Sequence, residues 1–294
     1  MARVTVCLSV YNGATTLAKA LDTVYSQTYR DFDVLVLDDG STDDSATIAS
    51  TFDCRVLSVQ NAGLGAARKR LVEEATGELI AFIDHDDFWL PAKLEKQVAH
   101  LDMTKAAMVH TDGWYVYEDG REVSRDLVIA TDSNAFDHIL PSNQVIASTS
   151  LFRRQEMLDA GNFVVDTVRC SDWYGWLILA PHRTFAHLPE KLVRYSVLST
   201  SLANSGYRFH EAQHYLLTQK ILPRRHELFQ GLNPQAAATY TNMLVQRSGI
   251  ALSSMARAKA KLGEKSEARR LALKAIKTAP TVLRVWSRSL SSLL

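Results

Sequence analysis

Short apolar runs alternate with helical patterns through the first third of this chain, and no other feature constrains the fold as strongly. Runs of four to seven residues predict strands at Val4–Val10, 32–37, 56–59 and 78–83, and the segments between them have helical periodicity. Strands that alternate with helices favour βαβ units and a sheet covered on both faces. The sequence therefore predicts an α/β fold with a mostly parallel sheet flanked by helices.

Polar residues follow each of the four predicted strands. They occupy 9–12, 38–41, 60–63 and 84–87, and two of these segments are acidic. In an open parallel sheet, ligands bind in the crevice outside the carboxyl ends of the strands. We therefore expect the four segments to border one binding site.

The most charged segment holds three carboxylates within four residues, Asp84, Asp86 and Asp87. Like charges at this spacing repel one another unless a divalent cation or a set of donors neutralises them. Carboxylate oxygens suit Mg²⁺ or Mn²⁺, which proteins usually share with substrate phosphates. The alternative is a solvated acidic turn before the next helix.

Two other strand ends are suited to a nucleoside diphosphate. Asp38 and Asp39 end a strand, where acidic side chains of other open sheets bind a ribose or base. Gly63 lies at a predicted helix start with Arg68 just inside, and helix amides and a guanidinium both favour phosphate. A dinucleotide-binding fingerprint is excluded, because Arg68 occupies its third glycine position and the motif follows a later strand.

Composition narrows the class of protein. A net charge of +1 provides no general attraction for nucleic acid, and three widely spaced cysteines favour a reducing compartment such as the cytoplasm. No window reaches about 18 uninterrupted apolar residues, so no membrane span is predicted. Residues 257–294 differ from the rest, since ten Lys and Arg against two Glu give a local charge of +8.

Together, the four strand-end segments resemble the motifs of family 2 glycosyltransferases. The resemblance covers about residues 3–200. Its markers are Ser9-Val10-Tyr11-Asn12, Asp38-Asp39-Gly40-Ser41, the stretch from Asn61 to Arg68, and Ile83-Asp84-His85-Asp86-Asp87 followed by Phe88-Trp89-Leu90-Pro91. It implies a Rossmann-like domain of the GT-A fold, which binds a nucleoside diphosphate sugar and transfers the sugar to a hydroxyl group with inversion.

The resemblance also implies roles for single residues. Asp39 would contact the base, most often uracil, with Tyr11 beside it, and Asp84 would contact the ribose or donor. Asp86, together with Asp84, would bind the Mn²⁺ or Mg²⁺ that bridges the diphosphate. The remaining donor-side candidates are Ser9, Asn12, Asp38, Asn61, Gly63 and Arg68.

The catalytic base of this family is an Asp in a Glu-Asp pair that opens a helix. Asp172 matches the base here, and Ser171 replaces the Glu. The structural alternative makes Ser171 an N-cap and Asp172 a partner of the helix dipole.

Leu198 also departs from the family, which has a His there that helps to hold metal or diphosphate. The residues that could compensate are His182, His187 and Arg194.

The second half is predicted to supply the acceptor side. Residues 1–110 form the nucleotide-sugar half of the GT-A domain and 111–205 the acceptor half, with a strand at 144–152. Trp173 and Trp176 lie beside the predicted base, where they either stack on a sugar or belong to the core.

A helical region is predicted for 206–294. Its last segment, 281–294, places Leu283 and Trp286 on one helical face and Arg284 on another. This pattern is typical of a helix lying on an anionic membrane surface. The alternative is a terminal helix that packs on its own domain or on a second subunit in a homodimer.

These expectations combine into a metal-dependent, inverting glycosyltransferase of the cytoplasm, peripheral to the inner face of the membrane. Its acceptor would be a growing surface glycan or a lipid-linked sugar. A sugar nucleotidyltransferase is one alternative, but it needs a basic glycine-rich loop after the first strand, which Ser9–Gly13 and the residues after it do not provide. The other is a non-catalytic nucleotide-sugar or glycan-binding protein, motivated by Ser171 and Leu198.

Overall fold

The computed structural model describes residues 2–126, 135–164, 166, 169–198 and 207–293, with side chains as far as 289. The chain divides into two compact units. The first comprises Met1–Ile139 with Asn143–Ser199, and the second comprises Leu140–Ser142 with Thr200–Leu294.

A single sheet organises the first unit. Its strands are β1 (Val4–Val10), β2 (Phe32–Asp38), β3 (Arg55–Ser58), β4 (Leu79–Asp84), β5 (Phe88–Trp89), β6 (Met108–Tyr117), β7 (Glu122–Arg125), β8 (Ser150–Arg153) and β9 (Phe185–Val197). Within the described residues their order across the sheet is β3-β2-β1-β4-β8-β6-β9-β5, with β7 paired to β6.

Helices follow the strands along the chain. They are α1 (Leu17–Tyr25), α2 (Ser45–Ala49), α3 (Leu64–Glu74), α4 (Lys93–Thr104), α5 (Ala135–Ile139), α6 (Arg154–Asp159) and α7 (Ser171–Leu179). The core lies between the sheet and these helices: β1 is buried along its whole length, and the apolar face of α1 packs against it through Leu17, Leu21 and Val24. Burial of both faces of β1 explains why five of its seven residues are apolar.

The α/β prediction is confirmed, and the sheet is mixed. β3, β2, β1 and β4 pair in parallel, as do β6 and β9, whereas β8 pairs antiparallel with both β4 and β6. The parallel register places Ser9 opposite Asp84 and Val10 opposite Asp38. Three of the polar strand ends therefore lie at one edge of the sheet.

The strand predicted at 144–152 is wrong over most of its length. Ala147–Thr149 form a turn of 3₁₀ helix, and only Ser150–Arg153 pair as β8. The hydroxyl groups cause this difference, because Thr149 Oγ1 donates to the Ile146 carbonyl and Ser150 Oγ to the Ala147 carbonyl. Such local side-chain bonds compete with strand pairing.

The second unit is helical where the structure describes it. Its helices are α8 (Tyr207–Tyr215), continued by a π-helical turn at Leu216–Ile221, then α9 (Arg225–Leu228), α10 (Pro234–Lys261), α11 (Lys265–Thr278) and α12 (Leu283–Leu293). Its core joins α10, α11 and α12 through residues such as Leu252, Leu271 and Val285. Among the helices described in either unit, none has the length and apolar character required to cross a bilayer.

Candidate functional site

The loops after β1 and β2 are joined by side-chain hydrogen bonds. Asn12 has a left-handed backbone, with φ of 52°, and its amide N–H donates to Ser41 Oγ at 3.0 Å. Asn12 Oδ1 in turn accepts the amide N–H of Thr42 at 2.8 Å. Asn12, predicted to bind substrate, thus has a structural task in holding two strand-end loops together.

The two carboxylates at the end of β2 are buried, and backbone amides donate to both. Asp38 Oδ1 accepts the amide of Ser41 at 3.0 Å. Asp39 accepts the amides of Ala62 and Gly63, one on each oxygen, both at 2.9 Å. Asp39 therefore fixes the loop that opens α3 at Leu64, and the lone pairs not taken by these amides remain for a ligand.

The loop after β2 requires glycine at position 40. Its φ is +76°, and a Cβ added there would lie 2.7 Å from the backbone nitrogen of Asn61. The loops after β2 and β3 therefore approach each other as closely as backbone allows. Asn61 is exposed at this junction, and Tyr11 is 50% exposed, whereas Ser9 is buried in β1.

Arg68 connects the end of β4 to the start of α7. Its buried guanidinium donates from Nη2 to Asp84 Oδ1 at 3.0 Å and from Nη1 to Ser171 Oγ at 2.7 Å. Nη1 also lies 4.0 Å from Asp172 Oδ1. Arg68, predicted to contact phosphate, thus brings the predicted donor carboxylate and the predicted base helix together.

Asp86 is the least engaged carboxylate of the acidic cluster. Burial raises the pKa of Asp86, an effect that His85 opposes and Asp84 reinforces. The part of the chain that the structure describes holds no group of three or more His, Cys, Asp or Glu side chains arranged for a metal ion. A cation shared with substrate phosphates needs only one or two protein carboxylates, so Asp86 and Asp84 fit such an ion.

Asp87 has a different role from its neighbours. It is fully buried, its Oδ1 accepts the amide of Ser196 at 2.9 Å, and its Oδ2 accepts the hydroxyl of Ser148. Burial, with the charges of Asp86 and Asp84, raises the pKa of Asp87 well above its usual range. The third acid of the cluster therefore ties the turn after β4 to β9.

Asp172 lies in the first turn of α7, with its side chain 20% exposed. Its Oδ2 accepts the side-chain amide of Asn143 at 2.8 Å, and its Oδ1 accepts the backbone amide of Trp173 at 2.8 Å. Asp172 is thus held at both oxygens, near Arg68 and still open to solvent. The predicted N-cap role of Ser171 is corrected: Ser171 is the first helical residue, Cys170 precedes it as the cap, and its hydroxyl accepts from Arg68.

The indole rings of Trp173 and Trp176 have no exposed surface. Trp173 Nε1 donates to the Ile139 carbonyl at 2.7 Å, and Trp176 Nε1 donates to the Val145 carbonyl at 3.1 Å. The two roles considered for these tryptophans were stacking on a sugar and packing in the core, and their burial and hydrogen bonds distinguish the two. Both tryptophans belong to the core, and stacking on a sugar is excluded for this arrangement.

Two of the three residues that could compensate for Leu198 contact carboxylates outside the acidic cluster. His187 bonds Asp112 at 2.8 Å, and Arg194 donates to Glu122 at 3.1 Å. The third, His182, is exposed at the end of a 3₁₀ turn. Leu198 itself follows directly after the end of β9.

Sequence reasoning missed two residues of this site. Ser148 accepts the Asp84 amide at 3.0 Å and donates to Asp87, and Asn143 contacts Asp172. Neither belongs to a motif. Their partners lie 64, 61 and 29 residues away along the chain, so no local pattern signals the contacts.

The sheet, its polar strand ends and the acidic turn after β4 define a GT-A glycosyltransferase domain. Residues 5–161 match the family described as "Glycosyl transferase family 2". Because this match spans more than half of the chain, the chain belongs to that family.

Characterised and uncharacterised relatives agree with this assignment. The chain is 29% identical over 123 residues to the Escherichia coli enzyme UDP-Glc:alpha-D-GlcNAc-diphosphoundecaprenol beta-1,3-glucosyltransferase WfaP, covering 40% of this chain and 49% of the relative. It is 33% identical over 124 residues to the putative glycosyltransferase EpsE of Bacillus subtilis, covering 40% of this chain and 45% of the relative. Each match thus spans less than half of the relative's length.

Solved structures share the fold across nearly the whole chain. TarS of S. aureus, residues 1–349 in complex with UDP-GlcNAc, superposes with a TM-score of 0.77 at 17% identity, covering 99% of this chain and 89% of that one. The mannosyltransferase PcManGT of Pyrobaculum calidifontis, in complex with GDP-Man and Mn²⁺, gives a TM-score of 0.55 at 20% identity, covering 99% and 85%. At these identities the likeness supports the fold alone.

Proposed function

We propose that this protein is a metal-dependent, inverting glycosyltransferase that uses a nucleoside diphosphate sugar, with UDP as the favoured nucleotide. The acceptor is a hydroxyl of a growing glycan or lipid-linked sugar in surface polysaccharide synthesis. One observation carries the proposal: Arg68 binds the donor-side Asp84 and lies 4.0 Å from Asp172, so a carboxylate able to act as a base stands beside the predicted donor site.

Relatives support the choice of donor and acceptor. The name of WfaP contains a UDP-glucose donor and a diphosphoundecaprenol-linked acceptor, and the TarS structure contains UDP-GlcNAc. PcManGT was solved with GDP-Man, which makes GDP the second nucleotide to test. Inversion is carried over from the family resemblance.

Proton transfer to Asp172 is the central step of the proposed mechanism. The acceptor hydroxyl gives its proton to the Asp172 carboxylate while its oxygen attacks the anomeric carbon. The bond from that carbon to the diphosphate oxygen breaks on the opposite face, and its electron pair leaves with the nucleoside diphosphate. Asp39, which is expected to contact the base, is held by the backbone amides of Ala62 and Gly63.

Asp86 and Asp84 are the residues that would hold a divalent cation. Such an ion, when bound, offsets the negative charge that develops on the departing diphosphate. The Asp86 carboxylate is suited to bind a cation because it is half-buried. Among the described residues, no side chain donates a hydrogen bond to it.

Nucleotide binding is the first test. Calorimetric titration with UDP, GDP and dTDP, each with Mn²⁺ and again with EDTA, should show binding of one nucleotide that chelator abolishes. The variant Asp172→Asn should keep that binding and lose transfer of radiolabelled sugar by about 100-fold or more. Full transfer by Asp172→Asn would contradict the assignment of the base, and absence of binding by every nucleotide would favour a non-enzymatic protein.

The C-terminal helix supports a further part of the proposal, namely a peripheral position on the inner face of the membrane. In α12, Val285 is buried in the helical core, whereas Leu283 is 81% exposed and Trp286 is 38% exposed. Arg284 lies between them and is also exposed. An exposed apolar pair beside a cation suits the headgroup region of an anionic bilayer.

Vesicle co-sedimentation tests this position. The protein should bind phosphatidylglycerol vesicles more than phosphatidylcholine vesicles, and Leu283→Ser with Trp286→Ala should reduce binding several-fold. Met103→Ser is the matched control, because Met103 is 71% exposed in the first unit. Equal vesicle binding by the α12 variant would contradict the membrane role, and loss of a dimer in that variant would assign this helix face to self-association.

A further inference from the structure

Asn143 contacts the proposed base from outside its helix. It lies in the loop between α5 and the 3₁₀ turn at Ala147–Thr149, and its Nδ2 donates to Asp172 Oδ2 at 2.8 Å. The other oxygen, Oδ1, accepts the Trp173 amide at 2.8 Å. With one donor on each oxygen, the plane of the Asp172 carboxylate is fixed.

The orientation of the Asn143 amide is itself determined by its surroundings. Asn143 Oδ1 accepts the backbone N–H of Val145 at 3.3 Å, and the Val145 carbonyl accepts Nε1 of the fully buried Trp176 at 3.1 Å. Because the amide oxygen must face the N–H of Val145, the NH₂ group must face Asp172. The core tryptophan therefore anchors the loop that carries this donor.

We propose that Asn143 is a positioning residue for the transfer reaction, which orients the Asp172 carboxylate for proton uptake. The proposal rests on the assignment of Asp172 as the base. A hydrogen bond to the charged form of a carboxylate favours that form, and a fixed carboxylate plane keeps its remaining lone pairs directed to one place. Asn143 supplies this effect without adding a charge.

Other groups that face Asp172 do not provide the same bond. Arg68 from α3 lies 4.0 Å from Oδ1 and is already bonded to Asp84 and Ser171. Tyr195 from β9 is another titratable group whose charge interacts with Asp172, and burial with the nearby carboxylates raises the pKa of Tyr195 far above its usual range. Tyr195 therefore stays neutral, and Asn143 is the side-chain donor in hydrogen-bond contact with the base.

The variant Asn143→Asp isolates this donor. Asp has the same shape and keeps an acceptor for Val145, but it replaces the NH₂ group by a second carboxylate oxygen facing Asp172. We expect kcat to fall about tenfold or more while the donor KM stays within twofold, and the acidic limb of the kcat profile to move to higher pH by about one unit. Asn242→Asp, at an exposed position of α10, is the matched control for added charge.

A second measurement reports on Asp172 without requiring turnover. Carboxyl ¹³C NMR of the full chain, with the Asp172 signal assigned by its absence in Asp172→Asn, should show a changed Asp172 chemical shift in both Asn143→Asp and Asn143→Ala. An unchanged chemical shift, with a wild-type kcat profile and an unchanged melting temperature, would overturn the proposal. A protein inactive with every donor refutes the proposed function, and the NMR chemical shift still decides whether Asn143 contacts the Asp172 carboxylate.

Discussion

Arg68 was recognised in the sequence as a candidate site residue, but the sequence did not predict which residues it contacts. The position stood out because a guanidinium near a helix start suits a phosphate. Its contacts are instead with Asp84, 16 residues away, and Ser171, 103 residues away. A single sequence does not display which distant residue approaches a buried cation, and the same reason hid Asn143.

Replacement of Arg68 by Met tests its linking role. The change removes the partner of Asp84 and the donor to Ser171, so we expect unfolding free energy to fall by about 1–3 kcal/mol and donor binding to weaken. Urea unfolding and nucleotide calorimetry measure the two effects.

Arg70→Met is the control for that experiment, since Arg70 is exposed on the same helix and pairs only with Glu74 at i,i+4. Its loss of stability should be about 0–0.5 kcal/mol. Equal effects of the two substitutions would mean that the Arg68 contacts contribute nothing specific.

At the scale of elements, sequence periodicity predicted the parallel half of the sheet well. The predicted first strand has the observed bounds of β1, the predicted second strand differs from β2 by one residue at one end, and the predicted fourth strand differs from β4 by one residue at each end. These strands are buried over most of their length and are mostly apolar in sequence. The other half of the sheet, which contains the antiparallel pairs of β8, was not predicted, because β8 has only four residues and β6 and β9 pair with register shifts near Asp112.

Helix α7, which carries Asp172, depends on close packing at Gly175. A Cβ added to Gly175 would lie 2.3 Å from Cε1 of the buried Phe163. Gly175→Ala should therefore destabilise the protein by about 1–3 kcal/mol through overpacking.

A smaller side chain at Phe163 should reduce the loss of stability that Gly175→Ala causes. In the double variant Gly175→Ala with Phe163→Leu, the loss of stability should be smaller than the sum of the two single losses, as measured by thermal unfolding. Additive losses would show that the helix accommodates the methyl group by another route.

At the scale of the whole molecule, one buried histidine makes stability depend on pH. His110 in β6 is fully buried and stacks on His187 of β9, with ring centroids 4.9 Å apart. Burial, with the charges of His187 and Arg125, lowers the pKa of His110 from 6.5 to about 3. Because the folded state holds this ring neutral, its contribution is complete above about pH 6.5 and is lost as pH falls towards 3.

We expect His110 to account for about 2 kcal/mol of the stability lost between pH 7 and pH 5, measured by urea unfolding at both values. His110→Phe should lose correspondingly less over this interval. Both ring nitrogens of His110 lack hydrogen-bond partners in the described structure, so Phe removes no bond.

His182→Phe provides the comparison, because His182 is exposed and its replacement should leave the pH dependence unchanged. The same loss between pH 7 and pH 5 in wild type and His110→Phe would show that other groups govern acid unfolding.

The bond between Asp87 and β9 affects how mutations in the acidic turn are interpreted. Asp87 shares a motif with Asp84 and Asp86, yet its bonds to Ser148 and to the Ser196 amide join parts of the chain 61 and 109 residues apart. Loss of activity in an Asp87 variant is therefore not by itself evidence that Asp87 takes part in sugar transfer. Alanine scanning of this turn separates chemistry from architecture only when each inactive variant is first shown to be folded.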